Sequence, residues 1–349
     1  MPMMEEISEN QIIGQIAKNF PVSPFKINKI HEADAELINL GGGFEKYLAL
    51  TTDALVEEVS SGLYEDPYFI GWMLATVNFS DLAAVGSEPL GILPAITYPP
   101  DRDESFLTQL ARGISDACRE LGTFVLGGDT NQGNQLFLSA CAVGLVPKES
   151  TISRIGAKPG DKLYLTGPAG LGNIFAFLHF SKPESNLPKS FYQPLARIKE
   201  GKSIRRFGSC CMDSSDGVIH TVDTLMRLNH CQFVLNDDWD NILHPAALEV
   251  CRAFHLPAWL ALAAVHGEFE LCFTVSPRKE KNLQDEAAAA GWTPVLIGEV
   301  REGAGVAIQT SERLIAIDTT LIRNLSSTAG SDQQRYIGQL LKISRKAGI

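Results

Sequence analysis

The chain has 349 residues, more than twice the roughly 150 typical of one domain, and 45 % of them are hydrophobic, enough to bury a real core. Lys and Arg total 30 against 41 Asp and Glu, a formal charge of −11, which argues against a general nucleic-acid binder because phosphate-backbone contacts need a basic surface. Small anionic substrates stay open, since divalent cations reverse the sign of an acidic site.

The seven cysteines (Cys118, Cys141, Cys210, Cys211, Cys231, Cys251 and Cys272) form no C-x-x-C pair and sit mostly in apolar runs, so they read as reduced, buried thiols. The acidic N-terminus lacks the basic-then-apolar order of a signal peptide, and no apolar run approaches the roughly 20 residues that span a bilayer. The chain therefore reads as cytoplasmic, with neither a membrane nor a nucleic acid as partner.

Taken in order, Tyr47 to Thr51 is an apolar run entering Thr52-Asp53, a buried strand whose last residues reach an edge. Phe69 to Val85 is a mostly apolar helix. Glu104 to Leu121 carries Leu107, Leu110, Ile114, Cys118 and Leu121 at helical spacing, with Gly122 as its C-cap. Phe124 to Leu126 reads as a strand running into Gly127-Gly128-Asp129-Thr130, and Leu136 to Val146 as the next strand. The polar segment 148–161 has turn chemistry throughout. It divides the chain into domains 1–148 and 149–349. In the second, Lys162 to Thr166 is a strand entering a glycine-rich turn and a helix. Ser181 to Pro194 is an exposed loop, Val218 to Leu228 an amphipathic helix, and residues 257–265 an Ala- and Leu-rich helix. Glu270 to Val275 is a strand, and Ser331 to Ile343 a helix packing on the second lobe. Mixed strands and helices in both halves indicate two α/β or α+β lobes.

The chemistry-bearing feature is a set of acids beside small or hydroxyl residues: Asp34, Asp53, Asp81, Asp129, Asp213 and Asp216. Asp is a poor helix-interior and strand residue, and Asp81 lies inside an apolar helical stretch where an uncompensated carboxylate is costly. Singly, each has a plain alternative: a solvated helix residue for Asp81, a turn residue for Asp129, an N-cap for Asp213 and Asp216. Together, hard oxygen ligands in this number suit Mg²⁺, the usual companion of nucleotide phosphates.

Eight strings in order carry a resemblance: Thr52-Asp53-Ala54-Leu55-Val56-Glu57; Asn78 to Ala84 with Gly86; Gly127 to Thr130; Arg154 with Gly156 to Asp161; Leu165-Thr166-Gly167; Pro194 to Gly201; Asp213 to Gly217; and Glu270 to Phe273. They resemble the thiamine-monophosphate kinase family, within the aminoimidazole-ribonucleotide-synthetase-like superfamily, over roughly residues 30–275. The resemblance implies a two-lobed α/β (α+β) fold: an N-terminal α/β lobe that binds ATP and Mg²⁺ and pairs with its twin in a homodimer, and a C-terminal α+β lobe. It carries the family's metal ligands onto Asp34, Thr51, Thr52, Asp53, Asp81, Asp129, Asp213 and Asp216, and its ATP contacts onto Gly128, Asp129, Arg154 and Ser215. Of these, Asp53, Asp81, Asp129 and Asp213 are expected to carry catalysis. The implied reaction moves a phosphoryl group from ATP to a phosphomonoester such as thiamine phosphate. Its acceptor oxygen is already ionised at neutral pH, so positioning and charge neutralisation suffice.

The acceptor side departs from the family pattern. Glu32-Ala33-Asp34-Ala35-Glu36 stands for Gly-Asp-Asp-Ala-Ala, and Ser60 for a His. Val265-His266-Gly267-Glu268-Phe269-Glu270-Leu271 stands for Gly-Gly-Glu-Asp-Tyr-Glu-Leu, and no aromatic string follows Gly330. Ser60 and Glu268 are the candidate substrate residues, with Phe269 expected in the core and His266 in packing. Two functions follow: a kinase acting on thiamine phosphate or another phosphomonoester, or a nucleotide-binding paralogue without catalysis.

Overall fold

The computed structural model describes residues 9–181, 191–325 and 333–348. The first sheet contains β1 (Glu36–Ile38), β2 (Lys46–Leu55), β3 (Glu88–Tyr98), β4 (Asp129–Gln132) and β5 (Phe137–Pro147), in the order β1-β2-β5-β3-β4. All its pairs are antiparallel except β3–β4. The second contains β6 (Lys162–Leu165), β7 (Gly208–Asp213), β8 (Gln232–Asn236), β9 (Leu271–Val275), β10 (Val295–Arg301), β11 (Gly305–Gln309) and β12 (Leu314–Ile317), in the order β12-β11-β8-β10-β6-β9-β7. Seven described helices have ten residues or more: α1 (Pro67–Ala84), α2 (Glu104–Glu120), α3 (Leu171–Ser181), α4 (Ile198–Phe207), α5 (Val218–Asn229), α6 (Pro277–Ala290) and α7 (Gln333–Ala347).

The element that organises the molecule is α1. Asp66 caps it by accepting from the Phe69 amide at 3.3 Å, and Pro67 supplies a fixed φ at its first position. Apolar residues all round it mark a helix buried on every side. It packs against β2 and β5, α2, and, from the second half of the chain, α4 and β7. Glycine makes the helix contacts close: a Cβ on Gly71 would lie 2.0 Å from the Leu110 carbonyl oxygen, and one on Gly201 of α4 2.1 Å from that of Ala83. One apolar cluster accordingly runs from Leu74, Phe79 and Leu82 to Ile198, Ile204 and Phe273, while a second fills the space behind the larger sheet.

Sheet register decides which side chains face α1. Thr51, Thr52 and Asp53 pair with Ala142, Cys141 and Ala140. Leu138, Ala140 and Ala142 form the buried face of β5, so Thr51 and Asp53 share that face while Thr52 points the other way. The far face carries Leu93, opposite Cys141, and Phe137, opposite Thr97; both are exposed.

Three sequence expectations need correction, and one strand was missed. Phe124 to Leu126 is not a strand: only Val125 bridges to Ile92, and β4 begins at Asp129. The Ala- and Leu-rich stretch shrinks to a four-residue helix, Leu260–Ala263. Glu88–Tyr98, which the pattern reading did not single out, is a full strand. Of the expected exposed loop, residues 182–190 lie outside the described residues, Ser181 ends α3, and Tyr192 is buried against Phe69 and Phe175. The C-terminal helix is present as α7, with Ser331 outside the described residues; it touches α3 and the Leu260–Ala263 helix.

Candidate active site

Three acids from distant parts of the chain meet between the lobes. Asp34 lies in the turn before β1, Asp81 near the end of α1, and Asp213 at the end of β7; a carboxylate oxygen from each lies within 4.8 Å of the other two. Each is held by a neighbour. Thr51 Oγ1 donates to Asp81 Oδ2, Ser80 Oγ to Asp213 Oδ2 at 2.7 Å, and Ser215 Oγ to Asp213 Oδ1 at 3.1 Å. Arg154 forks Asp34, with Nη2 3.0 Å from Oδ1 and Nε 3.2 Å from Oδ2. Ser80, next to Asp81, thus ties α1 to the second sheet; it lies inside a matched string but residue-type reasoning gave it no role.

The electrostatics are strained in one direction. Burial first, then Asp213 and Asp34, push the Asp81 carboxyl well above the usual range, against the Thr51 hydroxyl. Asp213 is also pushed up, by burial and then by Asp34, and Ser80 and Arg154 only partly offset this. At an effective dielectric of about 20, two charges near 5 Å apart repel by roughly 3 kcal/mol. Three all-oxygen donors with one Arg leave an excess of negative charge, and that donor set suits a hard divalent cation such as Mg²⁺.

The remaining candidates stand around this cluster. Asp53 is exposed, beside Asp81 in charge, with its amide bonded to Asn78 Oδ1 at 3.0 Å and its own Oδ1 accepting from the Ala54 amide. Asp216 is 61 % exposed, 3.5 Å from His220 Nδ1, and close enough to add to the field on Asp213. The helix N-cap is Gly217 rather than either acid. Thr52 donates to the Ala140 carbonyl, on the face away from the cluster. Asp129 is exposed on β4, paired with Ala95 and accepting from Asn131 Nδ2 at 2.7 Å; the register sets it on the same outer face as Thr52. Gly128 backs so closely onto the Pro94 carbonyl that a Cβ would lie 2.5 Å from it.

On the acceptor side, Ser60 is exposed and bonds back to the Glu57 carbonyl at 3.2 Å. Glu268 is buried, with Oε1 accepting from the amides of Gly172 and Asn173 at the start of α3; burial pushes its carboxyl up to about 8. Its own amide donates to the Ser214 carbonyl, joining it to the Asp213 turn. His266 is a packing residue: burial lowers it to about 3, and its neutral ring sits among Tyr64, Phe175 and Tyr192, with Nε2 3.2 Å from the Tyr64 hydroxyl. Phe269 is in the core, at a φ of 57°. Glu270 is bound to Arg197 and Thr166. Glu58 escaped the sequence reading; burial raises its carboxyl, with Glu57, Asp53 and Asp216 adding to the effect. Its one sequence signal is that it directly follows Glu57, the acid that ends the Thr52 to Glu57 string.

The AIR synthase related protein, N-terminal domain, matches residues 32–146, the part of the chain that carries the first sheet, α1, Asp34 and Asp81. Thiamine-monophosphate kinase of Escherichia coli (strain K12) is 32% identical over 262 residues, 73% of this chain and 78% of that protein. The thiamine-monophosphate kinase of Pyrococcus horikoshii is 29% identical over 292 residues, 82% of this chain and 90% of that one. The solved structure described as AaThiL complexed with AMPPCP and TMP shares the fold, with a TM-score of 0.74 at 24% identity, covering 90% of this chain and 97% of that chain. The chain belongs to the thiamine-monophosphate kinase family and is an enzyme of its phosphotransferase type.

Proposed function

We propose that the protein transfers the terminal phosphoryl group of ATP to a phosphomonoester in an Mg²⁺-dependent reaction, thiamine phosphate being the acceptor its relatives' names support. The observation that carries this reading is the meeting of Asp34, Asp81 and Asp213 between the lobes. Those three, with Thr51, are the residues to hold a divalent cation; Asp53 and Asp216, whose charges act on the cluster, are the further acids for ions that arrive with the nucleotide, whereas Thr52 and Asp129, on the outer face of the first sheet, face away from it. A bound cation supplies charge neutralisation for the triphosphate and its leaving group. The protein's share is positioning: Ser80 and Ser215 fix Asp213, Thr51 fixes Asp81, and Ser215, Gly128 and Arg154 are the proposed phosphate contacts. An acceptor phosphate oxygen forms the new bond to the γ-phosphorus as the bond to ADP breaks, and no general base is required.

In the same proposal, residues 1–148 form the ATP- and Mg²⁺-binding, dimerising domain, residues 149–349 the α+β domain, and the enzyme works in the cytoplasm in thiamine biosynthesis. The exposed apolar pair Leu93 and Phe137 on the outer face of the first sheet supports a homodimer through that face. Among the described residues no helix is long and apolar enough to cross a membrane. Purified protein with Mg-ATP and thiamine phosphate is expected to release ADP and form thiamine diphosphate in equal amounts. Asp81→Asn is expected to lower turnover by about a hundredfold or more. ADP release with a different phosphomonoester alone would rename the acceptor; none with any would end the reading.

A further inference from the structure

Arg154 sits where a phosphate contact is proposed, yet its guanidinium is spent on an acid of the cluster. Its backbone is pinned on both sides, the amide donating to the Glu32 carbonyl at 2.9 Å and the carbonyl accepting from Asn229 Nδ2 at 2.8 Å. From that anchor the side chain, 17 % exposed, takes both oxygens of Asp34, itself 1 % exposed. Its charge also faces Asp213 and Asp81. A divalent cation held by the cluster needs an oxygen of Asp34 and repels the guanidinium already there. Arg154 and the cation therefore compete for one carboxylate.

We infer that Arg154 is the resident counter-cation of the carboxylate cluster: it neutralises Asp34 until a divalent cation arrives, and is then released toward the nucleotide phosphate. The last step rests on the proposed phosphotransferase function; the competition at Asp34 does not. The arrangement sets an order of events, metal before phosphate, because the Arg fork is free for an anion only once the cation has taken over Asp34. A merely structural ion pair makes the opposite prediction. If Arg154 serves to hold Asp34 in place, removing it loosens a ligand and weakens metal binding.

The test is Mn²⁺ binding by electron paramagnetic resonance in protein free of nucleotide and acceptor. Arg154→Gln is expected to tighten Mn²⁺ binding at least tenfold, and Arg154→Lys, which keeps the charge and loses the fork, to stay within about threefold of the parent. Unchanged or weaker binding in Arg154→Gln overturns the proposal. Should that variant fail to fold, the parent protein carries the test: the ¹⁵Nε–H signal of Arg154, assigned by its loss in Arg154→Lys, is expected to shift on titration with Mg²⁺ alone. A signal unmoved at saturating Mg²⁺ overturns the proposal equally. Neither measurement involves turnover, so failure to release ADP removes the proposed activity and leaves this role of Arg154 to stand or fall separately.

Discussion

Glu268 shows how a residue of the acceptor-side string serves the fold. Its carboxylate caps α3 and its amide holds the Ser214 turn, so one buried side chain links two loops at the site. Burial lifts it from an ordinary 4.5 to about 8, opposed by the amides of Asn173, Gly172 and Gly170. A carboxyl raised in the folded state contributes stability fully below its unfolded value, and that contribution is lost as pH rises through its folded value. Glu268→Gln keeps an acceptor for the two amides and cannot ionise. It is expected to melt above the parent at pH 9, by about 1 kcal/mol or more, and to show a shallower fall between pH 6 and pH 9. Equal pH profiles would show that Glu268 is already ionised in the folded protein at pH 6 and that burial does not raise it. At this scale much was legible: residue type and motif order picked out Asp34, Asp81 and Asp213, because acids beside small and hydroxyl residues are out of place in apolar surroundings. What pattern could not supply was direction. Thr51 and Thr52 read alike in sequence, yet strand alternation sends one to Asp81 and the other to the opposite face.

Among the elements, α1 carries the site because glycines let α2 and α4 approach its backbone. Gly201→Ala puts a Cβ 2.1 Å from the Ala83 carbonyl oxygen, two residues from Asp81, so α4 must shift away. We expect a stability loss of roughly 1–3 kcal/mol by denaturant melts, with weaker Mn²⁺ binding in the protein that remains folded. A variant with parent-like stability would mean that the helices slide without cost. The helix itself was plain in the sequence, since the mostly apolar run from Phe69 to Val85 holds no Gly or Pro after Gly71. Its partners were not, because nothing in residues 67–84 names α4, more than a hundred residues on. The misplaced strand has a similar cause: Phe124 to Leu126 is apolar but exposed, whereas β4 is the polar, exposed Asp129–Gln132, with no alternation to read.

For the whole molecule, the interlobe position of the cluster means that neither lobe alone supplies the three acids. The apolar core crosses with them, from α1 to Ile204 and Phe273, so the lobes are expected to melt together rather than in two steps. The outer face of the first sheet gives the next prediction. Native protein is expected at twice the 38.0 kDa of one chain by light scattering, and a Leu93→Asp, Phe137→Asp double variant at one chain. A parent at single-chain mass would leave those side chains without a partner copy. The mixed α/β character, with strands gathered into two sheets, was visible in the succession of strands and helices along both halves of the chain. The convergence of acids 47 and 132 residues apart along the chain was not, because only the folded topology sets Asp34, Asp81 and Asp213 side by side.

The most direct measurement is anomalous scattering from crystals grown with Mn²⁺ and a non-hydrolysable ATP analogue. The account calls for an anomalous peak bound jointly by Asp34, Asp81 and Asp213, with Arg154 turned away from Asp34. Manganese bound only elsewhere, with those three carboxylates bare and the Arg154 fork still closed, would contradict it.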